Sequence, residues 1–385
     1  MTAPFLAGEI TLQQLEDEPY PIFDALREHT PVAWVPVLDG WLVTRRDLCI
    51  EVMRDPVTYT VDDPRFSTAQ VVGSSMLSLD GSEHTRHRDP FAFAFRAGAV
   101  RDQFTEAVHH LARRRVELIR PEGRAELRRG LAGPLAVEVM TEALQLAGTE
   151  PSTLLSWYDA IVAAVNLISA GEAPGNEGKE AFAQLTEAVV GTVETSAGLL
   201  AAAATSLTLE EVASNAAVML FGGIETAEGM TTNAFWHLLG DPMARAQVAA
   251  DPSLLPQVVE ESLRLEPAAA RVDRYATIDH DLGGAQIRAG DLVIVSLTAA
   301  NRDPAFFPDP HRFDWHRPNL RQHLTFAQGP HACIGIHLAR LETLAALKAA
   351  LELLPRLALQ PTESIPPRGL VFRKPPRLVA TWDVL

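Results

Sequence analysis

From Leu209 to about Leu239 the chain keeps a helical pattern without a single proline. At 1.5 Å per residue such a helix is roughly 45 Å long, enough to cross a whole domain. Thr208 and Glu211 have the spacing of a capping box at its start, and Gly240 followed by Asp241-Pro242 ends it. Its middle, Ala216-Ala217-Val218-Met219-Leu220-Phe221, is apolar all round, so this part must be buried. A buried helix of that length belongs at the centre of one large, mostly helical body.

The rest of the chain fits that expectation. It has 385 residues, enough to bury a sizeable core and enclose a ligand. Residues 32–44 read as a hairpin with a turn at Asp39-Gly40, and a short helix follows from about Asp47 to Arg54. Residues 60–80 read as irregular. From His84 to about Ala204 the pattern is mostly helical, broken at residues 118–123 and by a Gly, Pro and Glu-rich surface loop at residues 171–178. A helix opened by Asp251-Pro252 closes before Pro267. Short strands with Gly turns come next, and a last helix runs from Gly335 to Leu353. No repeat or linker divides the chain. The expectation is a single domain over residues 1–385, mainly α with a smaller β-rich part.

Charge and cysteine usage exclude several functions. The formal net charge is -16, which repels phosphate backbones, so no nucleic-acid partner is expected. Only Cys49 and Cys333 are present, which rules out a disulfide scaffold and zinc sites built on cysteine pairs. Cys49, between Leu48 and Ile50, reads as a small buried hydrophobe. The first residues, Met1 to Gln14, show neither a secretory signal nor a membrane anchor. A cytoplasmic protein with no membrane partner is expected.

Cys333 is different. Phe326-Ala327-Gln328-Gly329-Pro330-His331-Ala332-Cys333-Ile334-Gly335 is a Gly- and Pro-bearing loop that presents one Cys directly before a helix. Backbone N–H groups and a helix N-terminus favour a thiolate there. Gly329 and Gly335 leave room for the backbone to approach a bound group closely. A lone cysteine beside a turn is more often an inert core residue, so the loop needs support from elsewhere. Mid-way along the long helix, Gly222-Gly223-Ile224-Glu225-Thr226 sets an acid beside an alcohol, with Gly222 and Thr226 on one face. The plain alternative has Thr226 bonding its own helix backbone and Glu225 solvated.

The Cys333 loop resembles the haem-binding loop of the cytochrome P-450 family, Phe-Gly-x-Gly-x-His/Arg-x-Cys-x-Gly. Phe326, Gly329, His331, Cys333 and Gly335 match, and Ala327 stands where Gly is usual. Four further segments fit the same family in the right order. The Gly222–Thr226 segment resembles its oxygen-activation motif. The resemblance implies a groove for dioxygen at Gly222, a hydrogen bond from Thr226, and proton passage through Glu225. Glu261-Ser262-Leu263-Arg264 resembles Glu-x-x-Arg, which in the family forms a buried structural network with the Arg of Pro310-His311-Arg312-Phe313. His84-Thr85-Arg86-His87-Arg88 resembles His-x-x-x-Arg, so that His84 and Arg88 would bind one haem propionate, with His331 also in reach. Arg274 matches the Arg that binds the other propionate.

The resemblance implies the cytochrome P-450 fold, with its long central helix over haem b (iron protoporphyrin IX), and Cys333 as the iron ligand. In that family the thiolate pushes electron density onto the haem iron. It implies a monooxygenase driven by NAD(P)H through a reductase and a ferredoxin or flavodoxin. Arg86, Arg340 and Arg113-Arg114-Arg115 are the cationic candidates for that docking face, although a solvated helix face explains the cluster equally well. By family position the pocket walls would be Val71 and Val72, then Met219 and Gly222 on the long helix. Ala269, Ala270 and Val272 would form another wall, and Leu370 and Val371 the last. All are small or apolar, so an apolar small-molecule substrate is expected. A peroxide-using or oxygen-independent haem-thiolate enzyme stays open as the alternative. A haem sensor without turnover also stays open, but would not need Glu225-Thr226.

Overall fold

The structure, a computed structural model, describes residues 7–146, 148–169 and 172–384. Its centre is the helix Leu209–Gly240. The Thr208 hydroxyl accepts from the Glu211 N–H while the Glu211 carboxylate accepts from the Thr208 N–H, at 3.2 and 2.9 Å. At the far end the Asp241 carboxylate caps the next helix, accepting from the N–H groups of Met243 and Ala244. The helices Gly133–Leu144, Glu177–Thr195, Leu255–Leu265 and Ile336–Leu353 all pack against the central one. One continuous apolar cluster joins them, which is why residues 212–220 are buried all round.

The strand-rich part is a five-stranded sheet in the order Val32–Val35, Gly40–Val43, Leu292–Ser296, Arg271–Ala276 and Tyr59–Thr60. Asp39 takes the left-handed conformation that the turn needs, at φ 47°. The register pairs Val272 with Val295 and Arg274 with Val293. Alternation then puts Val272 and Arg274 on the sheet face covered by the helix Arg46–Arg54. The opposite face, with Leu42 and Ile294, packs on the helix Tyr20–His29. Cys49 is fully buried in the first of these layers, as a small hydrophobe, and burial pushes its thiol far up.

Three sequence expectations change. Residues 60–80 are not wholly irregular: Ser67–Val72 is a short helix held by packing against the helix Pro151–Ser169. The stretch after residue 123 carries a strand, Arg124–Glu126, in a small sheet with Val379–Thr381. In the surface-loop region, Gly171 lies outside the described residues, and Glu177 already begins a helix. Residues 1–6 of the N-terminal stretch lie outside the described residues as well.

Two buried arginines lock the polar part of the core. Arg264 donates from Nε and Nη2 to the two oxygens of Glu261 at 2.7 Å each, and both side chains are fully buried. Its Nη1 reaches the carbonyls of Asn301 and Pro310. The expected third member, Arg312, gives only its carbonyl, to Arg264 Nη2 at 3.1 Å, and its side chain is exposed. The turn Asp309–Arg312, with Asp309 at φ 47°, aims carbonyls inward and so turns that side chain out. Arg317 takes the place instead, with Nε 3.0 Å from Glu261 Oε1. Elsewhere Arg373, 1% exposed, pairs with Glu266 at 2.7 Å and donates to the carbonyls of Glu16, Pro367 and Gly369.

Candidate active site

The Cys333 loop is fixed from both sides. Asn301 accepts the Leu324 N–H at 2.6 Å and donates to the Thr325 hydroxyl at 3.0 Å, while that hydroxyl donates to the Leu263 carbonyl. The Cys333 N–H then donates to the Phe326 carbonyl at 2.8 Å, closing the loop, and Gly335 caps the helix Ile336–Leu353. Gly329, at φ 76°, rests against the backbone of Met53, and a Cβ there would collide with the Met53 carbonyl. Ala327 is also left-handed, at φ 56°. A residue with a Cβ pays roughly 1–2 kcal/mol for that conformation. Ala327→Gly should therefore raise the unfolding free energy by about 0.5–1 kcal/mol after the entropy of the freer unfolded chain is subtracted. Denaturant titration measures this, and a loss of stability would show that the Ala327 methyl is needed for packing.

Cys333 is exposed by surface area although it lies deep among protein atoms. Its side chain therefore borders an interior hollow rather than bulk solvent. Burial pushes its thiol up by more than the Gly335 N–H, Arg88 and Arg340 pull it down. The helix N-terminus alone thus leaves a thiol, contrary to the sequence expectation. A coordinated cation is what would strip the proton.

Donors without acid partners gather around this loop. His84 Nε2 is buried with no hydrogen-bond partner. Burial, then the charges of His331 and Arg88, lower its pKa to about 4, so the ring is neutral. The His84 ring lies 4.3 Å from that of His331. Arg88 donates to the Ala332 carbonyl at 2.5 Å, and Arg274, 5% exposed, donates to the Asp273 carbonyl at 2.8 Å. Among the described residues neither arginine forms an ion pair. His331 is engaged differently: its Nε2 lies 2.8 Å from Asp80, whose carboxylate also accepts from Thr60 and the Val61 N–H. Asp80 escaped the sequence reading because an Asp ahead of a helix reads as an ordinary cap. A hollow bordered by one sulfur, with unneutralised cationic donors beside it, fits an iron macrocycle carrying two carboxylates.

On the central helix Gly222 is exposed between the half-buried Phe221 and Gly223, just past the buried stretch 212–220, and a Cβ there would meet nothing within 4 Å. A Cβ on Gly223 would instead strike the Met140 sulfur. The first glycine leaves a notch and the second permits close helix packing. The Thr226 hydroxyl donates to the Gly222 carbonyl, so in this state it bonds its own backbone. Glu225 is half-buried and both of its carboxylate oxygens have partners. Tyr158 donates to its Oε2 at 2.7 Å, and Lys374 Nζ lies 2.6 Å from its Oε1.

The expected pocket residues fall into groups. Ala269 bridges to Phe372, and the Ala270 N–H donates to the Val371 carbonyl at 2.8 Å, so these two stretches lie together. Phe372 meets Phe221 of the central helix edge-on, with centroids 5.5 Å apart. Val272 is half-buried, Met219 is buried and Val371 is 38% exposed. Ala270 and Leu370 also border a small hollow with Phe23 and Leu42, under the Tyr20–His29 helix. Val71 and Val72 belong to the main apolar cluster, where Val71 faces Gly178.

The arginines expected at a docking face are all engaged. Arg86 pairs with Glu83 and Glu211, and Arg340 with Glu260. Arg113 pairs with Glu117 and Glu352, while Arg114 and Arg115 share Glu138. Among the described residues no helix is long and apolar enough to cross a membrane.

Known proteins converge on the same reading. The family model for Cytochrome P450 matches residues 195–379. The chain is 34% identical over 371 residues to cytochrome P450 monooxygenase PikC of Streptomyces venezuelae, covering 90% of this chain and 86% of that one. It is 32% identical to the mycinamicin IV hydroxylase/epoxidase of Micromonospora griseorubida, covering 94% of each. The solved structure of cytochrome P450 CYP109Q5 from Chondromyces apiculatus superposes with a TM-score of 0.87 at 27% identity, over 99% of this chain and 100% of that one. With its loop-borne cysteine, notched central helix and this resemblance along nearly its whole length, the chain belongs to the cytochrome P450 family and is a haem-dependent monooxygenase.

Proposed function

We propose that the chain holds haem b through Cys333 and hydroxylates or otherwise oxygenates an apolar small molecule. The observation that carries this is the Cys333 side chain bordering a hollow beside the unpartnered His84 ring and the cations Arg88 and Arg274, which form no ion pair among the described residues. When bound, the iron macrocycle supplies dioxygen activation: one oxygen atom enters the substrate and the other leaves as water, consuming two electrons and two protons.

The residues of the chain bind, orient and supply protons. Arg88, Arg274 and His84 hold the two propionates, with His331 held beside them by Asp80. Phe326, Gly329 and Gly335 shape the loop so that Cys333 alone projects. Gly222 gives dioxygen its space, and Thr226, turned from its own backbone, donates a hydrogen bond there. Glu225 brings protons to that point. Met219, Ala269, Ala270, Val272, Leu370 and Val371, with Val71 and Val72 behind them, enclose an apolar substrate body. Electrons come from a ferredoxin or flavodoxin and its NAD(P)H-dependent reductase. Because the expected arginines are neutralised, docking relies on shape and the rim more than on free positive charge. The two unpaired cysteines agree with a reducing cytoplasm, where residues 1–385 act as one domain.

Thr226→Ala tests the reading. Product formed per NAD(P)H should fall by about ten-fold or more, with the reducing equivalents diverted to hydrogen peroxide. Unchanged coupling, or equal turnover of both proteins with peroxide alone, would favour a peroxide-using enzyme and overturn the oxygen-activating role.

A further inference from the structure

Both oxygens of Glu225 are occupied, and its cationic partner is itself shared. Lys374 Nζ lies 2.6 Å from Glu225 and 2.5 Å from Glu228, one turn further along the central helix. Glu228 is held in turn by Arg128, at 2.7 Å. The cluster has two carboxylates and two cations, so it is neutral as a whole. The main chain at Lys374 is held in place, because the preceding residue, Arg373, is bonded to Glu266 and to several backbone carbonyls. The Lys374 ammonium lies between two carboxylates, so Glu228 remains with it when the other departs.

We propose that Lys374 and Glu228 form a fixed dock from which Glu225 swings toward Thr226, with Glu228 as the reserve partner that keeps Lys374 from being stranded. The proposal rests on the reading of Glu225 as the proton carrier. The physical reason for a second carboxylate is the cost of leaving a buried charge alone. A lysine with one acid partner would hold it tightly, because separation strands both ions. With Glu228 in place, Lys374 stays paired when Glu225 leaves, and only the Glu225 contacts and the Tyr158 hydrogen bond must be broken. Lys374 and Glu228 are positioning residues, since neither need touch the reacting atoms.

The charged groups around Glu225 fix the sign of the test. Burial pushes its carboxyl up, but Lys374, the Tyr158 hydroxyl and Arg128 together bring it below the ordinary range. From the helix Pro151–Ser169, Asp159 opposes them and lies near Arg129. Removing the lysine leaves burial and the neighbouring acids to act, so Glu225 should take up its proton at higher pH.

The experiment follows the carboxyl C=O infrared band of the ferric holoprotein against pH, with Glu225→Gln as the assignment control. In Lys374→Gln the band assigned to Glu225 should appear at least about one pH unit higher than in the wild type, and Lys374→Arg should restore it. In turnover the acid limb of product formed per NAD(P)H should shift upward by the same amount. Glu228→Gln should act in the opposite way: coupling at neutral pH falls several-fold, because Lys374 then has Glu225 alone. An unmoved Glu225 band in folded Lys374→Gln, or improved coupling in Glu228→Gln, would overturn the dock. If Glu225→Gln itself leaves coupling unchanged, the relay reading fails, whereas the infrared shift would still show that Lys374 sets the charge of Glu225.

Discussion

Cys333→Ser should remove the strongly red-shifted Soret band from the reduced, carbon-monoxide-bound protein and bring monooxygenase turnover to background. The serine hydroxyl is isosteric enough to keep the Phe326–Gly335 loop closed, since that closure is made by the backbone of residue 333. What changes is the donor atom. A thiolate pushes electron density onto haem iron and helps break the O–O bond, and a neutral hydroxyl does not. In the free protein burial holds the Cys333 thiol protonated, so ligation must displace that proton. Spectra of wild type and mutant, recorded side by side, decide the matter. A Soret band at the histidine-type position in both proteins would mean that another residue holds the iron, and the proposed mechanism would fail.

Glu261→Gln should be nearly as damaging, through stability. The substitution leaves Arg264 and Arg317 facing a neutral amide in the same buried site, where Glu261 Oε1 now serves both arginines. Removing one partner of a buried ionic network costs about 3–5 kcal/mol, against a typical total of about 5–15 kcal/mol for a domain. The variant should show a sharply lower denaturation midpoint and retain little haem, because Arg264 also holds the carbonyl of Asn301, whose side chain anchors Leu324 and Thr325 just ahead of the Cys333 loop. Arg312→Ala is the control. Its side chain is exposed, so its cost should stay within about 0.5 kcal/mol. Equal losses from the two substitutions would return Arg312 to the network.

Those two arginines also show what a sequence can and cannot reveal. Glu261 and Arg264 were legible because i, i+3 spacing on a helix fixes their proximity whatever surrounds them. Which arginine completes the network depends on a turn that aims one side chain outward, and Asp309 gave no warning of its left-handed backbone. The long helix was legible from its capping box and its unbroken apolar middle. The helix Ser67–Val72 was not, since six residues have little helical preference of their own and depend on packing. In the site, Cys333, Gly222 and Thr226 stood out because each sits in a short local pattern. Asp80, Tyr158 and Lys374 come from separate segments and meet their partners only through the fold. Nothing periodic marks them. The departure at Ala327 was visible in the sequence, but its left-handed backbone became evident only in three dimensions.

The way Arg373 is held has a bearing on how such an enzyme changes its substrate over evolutionary time. Its contacts with Glu266 and several carbonyls fix the main chain of residues 367–374 independently of the neighbouring side chains. Val371, 38% exposed, sits on that rigid support and can be exchanged without redrawing the path of the backbone, whereas Leu370 packs against the layer under the Tyr20–His29 helix. If Val371 lines the substrate pocket as proposed, single substitutions there would alter which molecules fit while the backbone that carries Lys374 stays in place. This segment is therefore where divergent descendants, or a laboratory selection, would be expected to record new specificities first.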